Sequence, residues 1–198
     1  APPLARELAS TVLDEAERLN RLVGNLLDMT RLESGAPSPK RDWHSLEEVV
    51  GSALARVRRY SGERRLVAQL TPELPLVPID AVLVEQALVN LLENALRHGG
   101  PGGAVSVAAR REGPDAILEV SDEGPGFPPE DAERIFEKFY RARGGLGAGL
   151  GLAIARAIVT AHGGTIRAEP GRPKGATFRF TLPLGDAPPP PPPEEEAP

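Results

Sequence analysis

From Asp80 onward the order of segments leaves few folds open. Val84, Leu88, Leu91, Leu92 and Leu96 make one apolar stripe on a proline-free stretch from Ala81 to about Arg97, with Asp80 placed as its N-cap and GGPGG (99–103) as its stop. Such a helix has to be covered, and the segments downstream of it can do so. Two strand candidates, AVSVAAR (104–110) and AILEVSD (116–122), flank the hairpin-turn sequence REGPD. A short helix is expected around Glu133–Phe139 and a longer one from about Gly149 to His162, closed by Gly163 and Gly164. TIRAE (165–169) and ATFRFTL (176–182) read as closing strands. In the second, Phe178, Phe180 and Leu182 alternate with polar residues, so one face is buried. This order predicts a two-layer α/β (α+β) sandwich, a mixed β-sheet with helices on one face.

The amino-terminal part reads differently. Leu4 to Glu33 has no internal proline, and Leu19, Leu22, Leu26 and Met29 recur at alternating spacings of three and four, with Val12 one heptad earlier. A helix of roughly 30 residues is about 45 Å long, too long to bury itself in a small domain. It is expected to pack in a bundle or coiled coil with helices of another chain or of a missing segment. SGAPSPKRDW then breaks the pattern. The expected organisation is a long helix over 1–35, a linker over 36–44, a globular domain over 45–184 and a tail over 185–198. Ser45 opens the globular domain as an N-cap, with Glu48 at the capping-box position, for a helix running to about Arg59. RLVAQL (65–70) is a strand candidate, and Pro72, Pro75 and Pro78 mark a turn-rich connection. The tail, GDAPPPPPPEEEAP, is polyproline followed by acid and cannot pack a core.

Several classes of function are excluded or disfavoured. There is no cysteine, hence no disulfide, thiolate metal site or cysteine nucleophile. His44, His98 and His162 lie far apart, without zinc-ligand spacing. A net charge of −5 disfavours a generally basic nucleic-acid binder. No apolar run reaches about 18 residues, so none spans a bilayer. The start, APPLARELAS, has no signal-peptide pattern, and without an initiator Met the chain reads as a piece of something longer.

Three short motifs carry chemistry. GGLGAGLGLAI (144–154) places five glycines before an apolar helix. No Gly-Lys-Ser/Thr occurs anywhere, and the sixth position counted from Gly147 is Leu152, so neither a P-loop nor G-x-G-x-x-G fits. On its own the loop allows an anion site, since a helix N-terminus offers free N–H groups and a favourable dipole, or a flexible hinge. In NLLENALRH (90–98), Asn90 and Asn94 stand i, i+4 on one helix face, with Arg97 further along. Their oxygens suit a hard cation such as Mg²⁺; two polar residues on a solvated face is the plain alternative. DEGPGF (122–127) follows a strand directly. Asp122, ionised, is a pure acceptor suited to an exocyclic amine, while Gly124 and Gly126 let the backbone approach a flat ligand. Alone, it is also an ordinary strand-ending turn.

Taken together and in order, the two asparagines, Asp-x-Gly-x-Gly-Phe, FEKFYR (136–141), Gly-x-Gly-Leu-Gly-Leu and GATF (175–178) resemble the N, G1, F, G2 and G3 boxes of sensor histidine kinases. Their nucleotide domain is the Bergerat (GHKL) fold, shared with gyrase B, MutL and the ninety-kilodalton heat-shock chaperone. The resemblance spans about Ser45 to Leu184. DEAERLNRLVGNLLDMTRLESG (14–35) is most similar to the Kdp-type, potassium-responsive sensors. The resemblance implies that Asp122 binds the adenine amino group with Thr177 near it, and that Asn94 is the Mg²⁺ ligand with Asn90 beside it at the phosphates. It further implies that Arg97 approaches the phosphates. Gly147, Gly149, Leu150 and Gly151 would meet the β- and γ-phosphates, with Gly124 and Gly126 forming the G1 turn. Phe136 to Leu146 would be a lid over ATP, anchored by Phe136, Phe139 and Tyr140. Arg141 and Arg143 would either reach the phosphates or be solvated.

The same resemblance calls for a phospho-accepting histidine on the first helix of a dimerisation hairpin. His44, His98 and His162 do not match it, so the Leu4–Glu33 helix reads as the second helix of that hairpin. The chain is then expected to bind ATP and Mg²⁺ without phosphorylating itself. The implied partners are a response regulator and, through the long helix, a second copy of the chain, with membrane attachment only through segments outside it. The implied setting is the cytoplasmic side of a membrane-bound bacterial sensor of potassium or osmotic stress. Two alternatives stay open: a hydrolytic ATPase of gyrase, MutL or chaperone type, and a non-catalytic dimerisation module with a vestigial pocket. The hydrolytic relatives carry a water-activating glutamate four residues before the metal-binding asparagine. Here that position is Asn90, and Glu93 lies about 100° round the helix from Asn94.

Overall fold

The structure is a computed structural model that describes Val12, Gly24 and residues 39–100, 102–141, 149–171 and 174–186. The expected long helix lies outside the described residues apart from Val12 and Gly24, both helical. All of the tail beyond Asp186 lies outside them as well.

The chain enters through β1 (Asp42–His44), then α1 (Leu46–Arg58), β2 (Leu66–Leu70), β3 (Val77–Ile79) and α2 (Ala81–His98). The hairpin β4 (Val105–Glu112) and β5 (Asp115–Asp122) leads to two 3₁₀ turns, Pro129–Asp131 and Arg134–Phe136. Helix α3 (Gly151–Ala161) and strands β6 (Ile166–Pro170) and β7 (Ala176–Pro183) complete the unit. The main sheet has the order β2-β4-β5-β7-β6. Only the β2–β4 pair is parallel, so the sheet is mixed. Helices cover one face of it, as expected.

Period-two alternation builds the covered face. Val105, Val107 and Ala109 of β4, Leu118 and Val120 of β5, and Phe178, Phe180 and Leu182 of β7 are buried against Leu88, Leu91 and Leu92 of α2 and Ile154 and Ile158 of α3. Truncating a ring such as Phe178 to alanine in such a core costs about 3–5 kcal/mol. The opposite sheet face is polar: Arg110 pairs with Glu119 at 3.0 Å and Arg179 with Glu112 at 2.7 Å. Partly exposed pairs of this kind contribute about 0–1 kcal/mol each, so the apolar face holds the domain together.

Local chemistry sets the boundaries. Ser45 caps α1, though its Oγ accepts from Glu47 N–H at 3.2 Å, one residue short of the capping-box partner Glu48. Asp80 Oδ1 accepts from Leu83 N–H at 3.2 Å and so caps α2. The β4–β5 turn is Gly113-Pro114, with Gly113 at φ 62° in the first turn position that favours glycine.

Three expectations need correction. The linker over 36–44 ends in strand β1, which pairs antiparallel with β3 in a separate two-stranded sheet. Consequently the proline-marked connection contains a strand, with Pro78 opposite Trp43. A proline is tolerated there because so small a ladder is all edge. The helix expected at 133–139 is instead the pair of 3₁₀ turns. Helix α3 begins at Gly151 rather than Gly149, because Gly149 takes a left-handed φ of 69° that an α-helix cannot contain.

Candidate functional site

Helix α2 and the start of α3 frame one end of the site. Asn90, in the middle of α2, is 8% exposed, and its Nδ2 is a buried donor with no partner. A buried polar atom left unpaired costs about 1–3 kcal/mol, so its retention needs a reason. The reason lies opposite: a Cβ built on Gly151 would sit 3.7 Å from Asn90 Oδ1, so the Asn90 amide abuts the first residue of α3. That helix end is left open. The residue before it, Leu150, is buried and supplies no side-chain cap, and the first turn has no acidic residue. The first intrahelical bond runs from Ile154 N–H to Leu150 O at 2.9 Å, so the N–H groups of Gly151, Leu152 and Ala153 have no partner within the helix. Free N–H groups, the positive end of the helix dipole and an unpaired amide donor converge, which is a place for an anion. Asn94, one turn further along α2, is half-buried on the same face.

The α2 C-terminus and the end of β5 frame the other end. Asp122 is 6% exposed, and its Oδ1 accepts from Gly124 N–H at 2.8 Å. Its Oδ2 is buried and unpartnered. Burial pushes the carboxyl above the usual aspartate value, against the N–H groups of Gly124 and Ala176 and the nearby His98, which pull it back. Gly124 is required by close approach, because a Cβ there would run into the carbonyl of His98 at the end of α2. Gly126 backs onto Gly175 of the β6–β7 turn. Beside Asp122 the surface opens into a cavity of about 420 Å³ lined by Gly99, Gly100, Gly102, Gly103, Glu123, Gly124, Pro125 and Lys174.

Between the two ends stands the base of a loop. Phe136 is buried edge-on to Phe178, ring centroids 6.3 Å apart, with the Arg156 guanidinium 5.7 Å above it. Phe127 also packs on the Phe178 ring, tilted, with centroids 6.5 Å apart. Phe139, by contrast, is exposed. Tyr140 is gripped from outside: the Arg134 guanidinium lies 5.2 Å over its ring, and a hydrogen bond to Asp131 pushes the phenol pKa up. Arg97 and Arg141 are both exposed, at the end of α2 and at the start of the loop. Arg143 and Gly147, with Gly144, Gly145 and Leu146, lie outside the described residues.

Thr177 is not where the motif match puts it. It is paired with Ser121, and the two hydroxyls lie 2.9 Å apart on the polar face of the sheet. Asp122 and Phe178, each one residue on, point to the helix-covered face. The neighbour the β7 end does give Asp122 is the Ala176 N–H, a backbone group that carries no side-chain signal in the sequence.

Glu93 is likewise accounted for: Tyr60, just past α1, donates its hydroxyl to Glu93 Oε1 at 2.8 Å. The carboxylate is thus held toward α1. His162 is buried, with both ring nitrogens hydrogen-bonded. Among the described residues no cluster of three or more His, Asp or Glu could hold a metal ion, and no helix is long and apolar enough to cross a membrane.

Comparison with known proteins agrees with this geometry. Residues 79–186 match the family described as Histidine kinase-, DNA gyrase B-, and HSP90-like ATPase. The sensor protein KdpD of Escherichia coli is 45% identical over 190 residues, which cover 94% of this chain and 21% of that protein. The chain therefore spans about a fifth of the length of this relative. The mycobacterial sensor histidine kinase MprB is 34% identical in a solved structure, with a TM-score of 0.66 over 72% of this chain and 97% of that one. Full-length ShkA, solved in complex with AMPPNP, superposes with a TM-score of 0.77 at 27% identity, over 90% of this chain and 38% of that one. The sheet order, the open start of α3 and these similarities together show that the chain belongs to the histidine kinase-, DNA gyrase B- and HSP90-like ATPase family and carries the ATPase-type catalytic domain of sensor histidine kinases.

Proposed function

We propose that this chain is the nucleotide-binding half of a sensor histidine kinase, holding Mg-ATP for transfer of its γ-phosphoryl group to a histidine other than His44, His98 and His162. The observation that carries the reading is a pair of buried orphans of opposite polarity. Three buried side-chain polar atoms among the described residues lack a partner, and two of them, Asn90 Nδ2 and Asp122 Oδ2, stand at the two ends of this site. An acceptor at one end suits the exocyclic amine of adenine, and a donor beside a helix N-terminus suits phosphate. Gly99, the C-cap of α2 that packs on Asp122, lies nine residue steps along from Asn90. At 1.5 Å per residue that is about 14 Å, a length an extended nucleoside triphosphate can bridge.

Asn94, half-buried on the Asn90 face, would present its amide oxygen to a Mg²⁺ that takes its other ligands from phosphate and water. The bound ion would neutralise charge on the β- and γ-phosphates. The chain itself would contribute position and fixed dipoles: the α3 N–H groups toward the phosphates, the Asn90 amide beside them, and Asp122 on the base. Gly147 and Arg143 belong to this proposal through the family pattern. Arg97 and Arg141, exposed at the end of α2 and at the start of the loop, would approach the phosphates.

Among the described residues of the site none activates water. Asn90 cannot serve as a base, and the Tyr60 hydroxyl holds Glu93 toward α1. This favours transfer over hydrolysis. In the longer protein the phosphoryl group would pass from histidine to a response-regulator aspartate. The long amino-terminal helix would dimerise, membrane attachment would lie in other segments, and the similarity to KdpD makes potassium or osmotic stress the proposed stimulus. Incubation with γ-labelled Mg-ATP, followed by mapping of phosphohistidine, tests the reading. The expected result is retained nucleotide with no label on the three histidines. Label on any of them, or sustained phosphate release, would overturn it.

A further inference from the structure

The far end of α3 carries a second arrangement, separate from the nucleotide site. His162 is 2% exposed, and both ring nitrogens are committed: Nδ1 lies 2.8 Å from Ile158 O, and Nε2 accepts from Asp80 N–H at 3.0 Å. A carbonyl can only accept and a backbone N–H can only donate, so the partners fix the tautomer as neutral imidazole with its proton on Nδ1. Around this ring the incoming chain is fastened twice more. Lys40 N–H donates to Asp80 Oδ2 at 3.2 Å, and the Arg41 guanidinium donates to Ala161 O at 3.0 Å, at the negative end of the α3 dipole. The segment that leads from residues 1–38 into β1 is thus tied to the start of α2 and the end of α3, the two helices that frame the nucleotide site.

We propose that His162 is a proton-operated clasp: its neutral ring holds Asp80, and through Asp80 the linker at Lys40, and protonation of Nε2 releases them. A protonated Nε2 would face the Asp80 N–H donor to donor, and that bond has no substitute acceptor on the ring. The charged groups acting on the ring are the Arg41 guanidinium and the Asp80 carboxylate. Burial lowers the imidazole pKa from 6.5; Arg41 adds to that, while the Ile158 bond and Asp80 oppose it. The clasp is therefore closed at neutral pH and opens below the ordinary histidine range. It acts on how the amino-terminal segment is attached to the catalytic domain, whether or not nucleotide is bound.

Solution NMR on the whole 198-residue chain tests this as a function of pH. The His162 ring signal should titrate with a midpoint below 6.5. The Asp80 and Lys40 amides should share this transition, their exchange protection falling by up to about tenfold per pH unit between 6.5 and that midpoint and levelling off below it, while the sheet-centre amides of Leu118 and Val120 hold. His162→Gln supplies an acceptor that does not titrate, so its Asp80 and Lys40 amides should stay protected across the same range. Asp80 and Lys40 amides in the wild type that do not share the ring's transition would overturn the proposal. So would the same acid loosening in a folded Gln variant. If the variant does not fold, the wild-type titration decides alone.

Discussion

The backbone N–H of Phe139 donates to the carbonyl of Gly149 at 2.9 Å, and both residues are left-handed, with φ of 62° and 69°. The two left-handed residues, of which only Phe139 is strained, close the base of the loop between them, immediately before α3 opens its free N–H groups toward Asn90. A Cβ on Gly149 would lie 2.6 Å from Tyr140 O. Gly149→Ala should therefore cost roughly 1–2 kcal/mol from the left-handed backbone alone and move the start of α3. Calorimetry should show Mg-ADP affinity down by at least about tenfold, the equivalent of 1.4 kcal/mol, while circular dichroism shows the fold retained. Unchanged affinity would remove the loop base from the site.

Asn90 offers a trade of stability against binding. Its Nδ2 is buried and has no partner among the described residues, so Asn90→Leu removes a desolvated donor at similar volume. The melting temperature without nucleotide should rise by about 2–4 °C for about 1 kcal/mol gained, and nucleotide affinity should fall. A variant less stable than the wild type would mean that the amide is satisfied by something other than ligand.

Asn94 should separate metal from nucleotide. Asn94→Ala is expected to leave ADP binding in EDTA nearly unchanged while abolishing most of the gain that Mg²⁺ gives the wild type. Paired titrations with and without the ion read this directly, and an undiminished magnesium effect would move the metal elsewhere.

The pH dependence of stability carries the signature of Asp122. Its carboxyl is raised above 3.8 by burial, so between that value and the folded one the native state holds more protons than the unfolded chain. Stability from this group is present at low pH and lost as pH rises through the window, the reverse of a salt-bridged aspartate. Urea unfolding of the nucleotide-free chain at stepped pH should show this component, and Asp122→Asn should lack it.

Glu93 and Tyr60 test the hydrolytic alternative. Tyr60→Phe should cost about 1 kcal/mol of stability through the lost hydrogen bond and leave nucleotide affinity alone. Glu93→Gln should leave the slow release of phosphate unchanged. A loss of turnover in the second variant would give this carboxylate a catalytic role.

The amphipathic segments were legible in the sequence because each carries its own periodicity: the α2 stripe, the β7 alternation, the hairpin round Gly113-Pro114. The β1–β3 pair was not, since three-residue strands carry no pattern and one of them contains Pro78. Their pairing is a long-range fact about where the linker docks. Thr177 shows a different failure. The alternation that turns Phe178, Phe180 and Leu182 inward already sends Thr177 outward, and parity prevails over a motif match. The Ala176 N–H and the Asp80–His162 bond are backbone contributions, invisible to any reading of side chains. Asp122, Asn90 and Asn94 could be picked out only in company: alone their motifs also read as a solvated helix face and a strand-ending turn, and it was their order together with the glycine-rich loop and GATF that singled them out.

If Asp122 and the Asn90–α3 end hold one nucleotide between them, removing the acceptor at one end must weaken the whole complex. Calorimetric titration of the chain with Mg-ADP, beside Asp122→Asn, reads this. One site per chain is expected in the wild type and at least about a tenfold loss in the variant, since a buried acceptor for the base amine becomes a donor. No heat of binding in the wild type, or equal affinity in the two proteins, would refute the shared site.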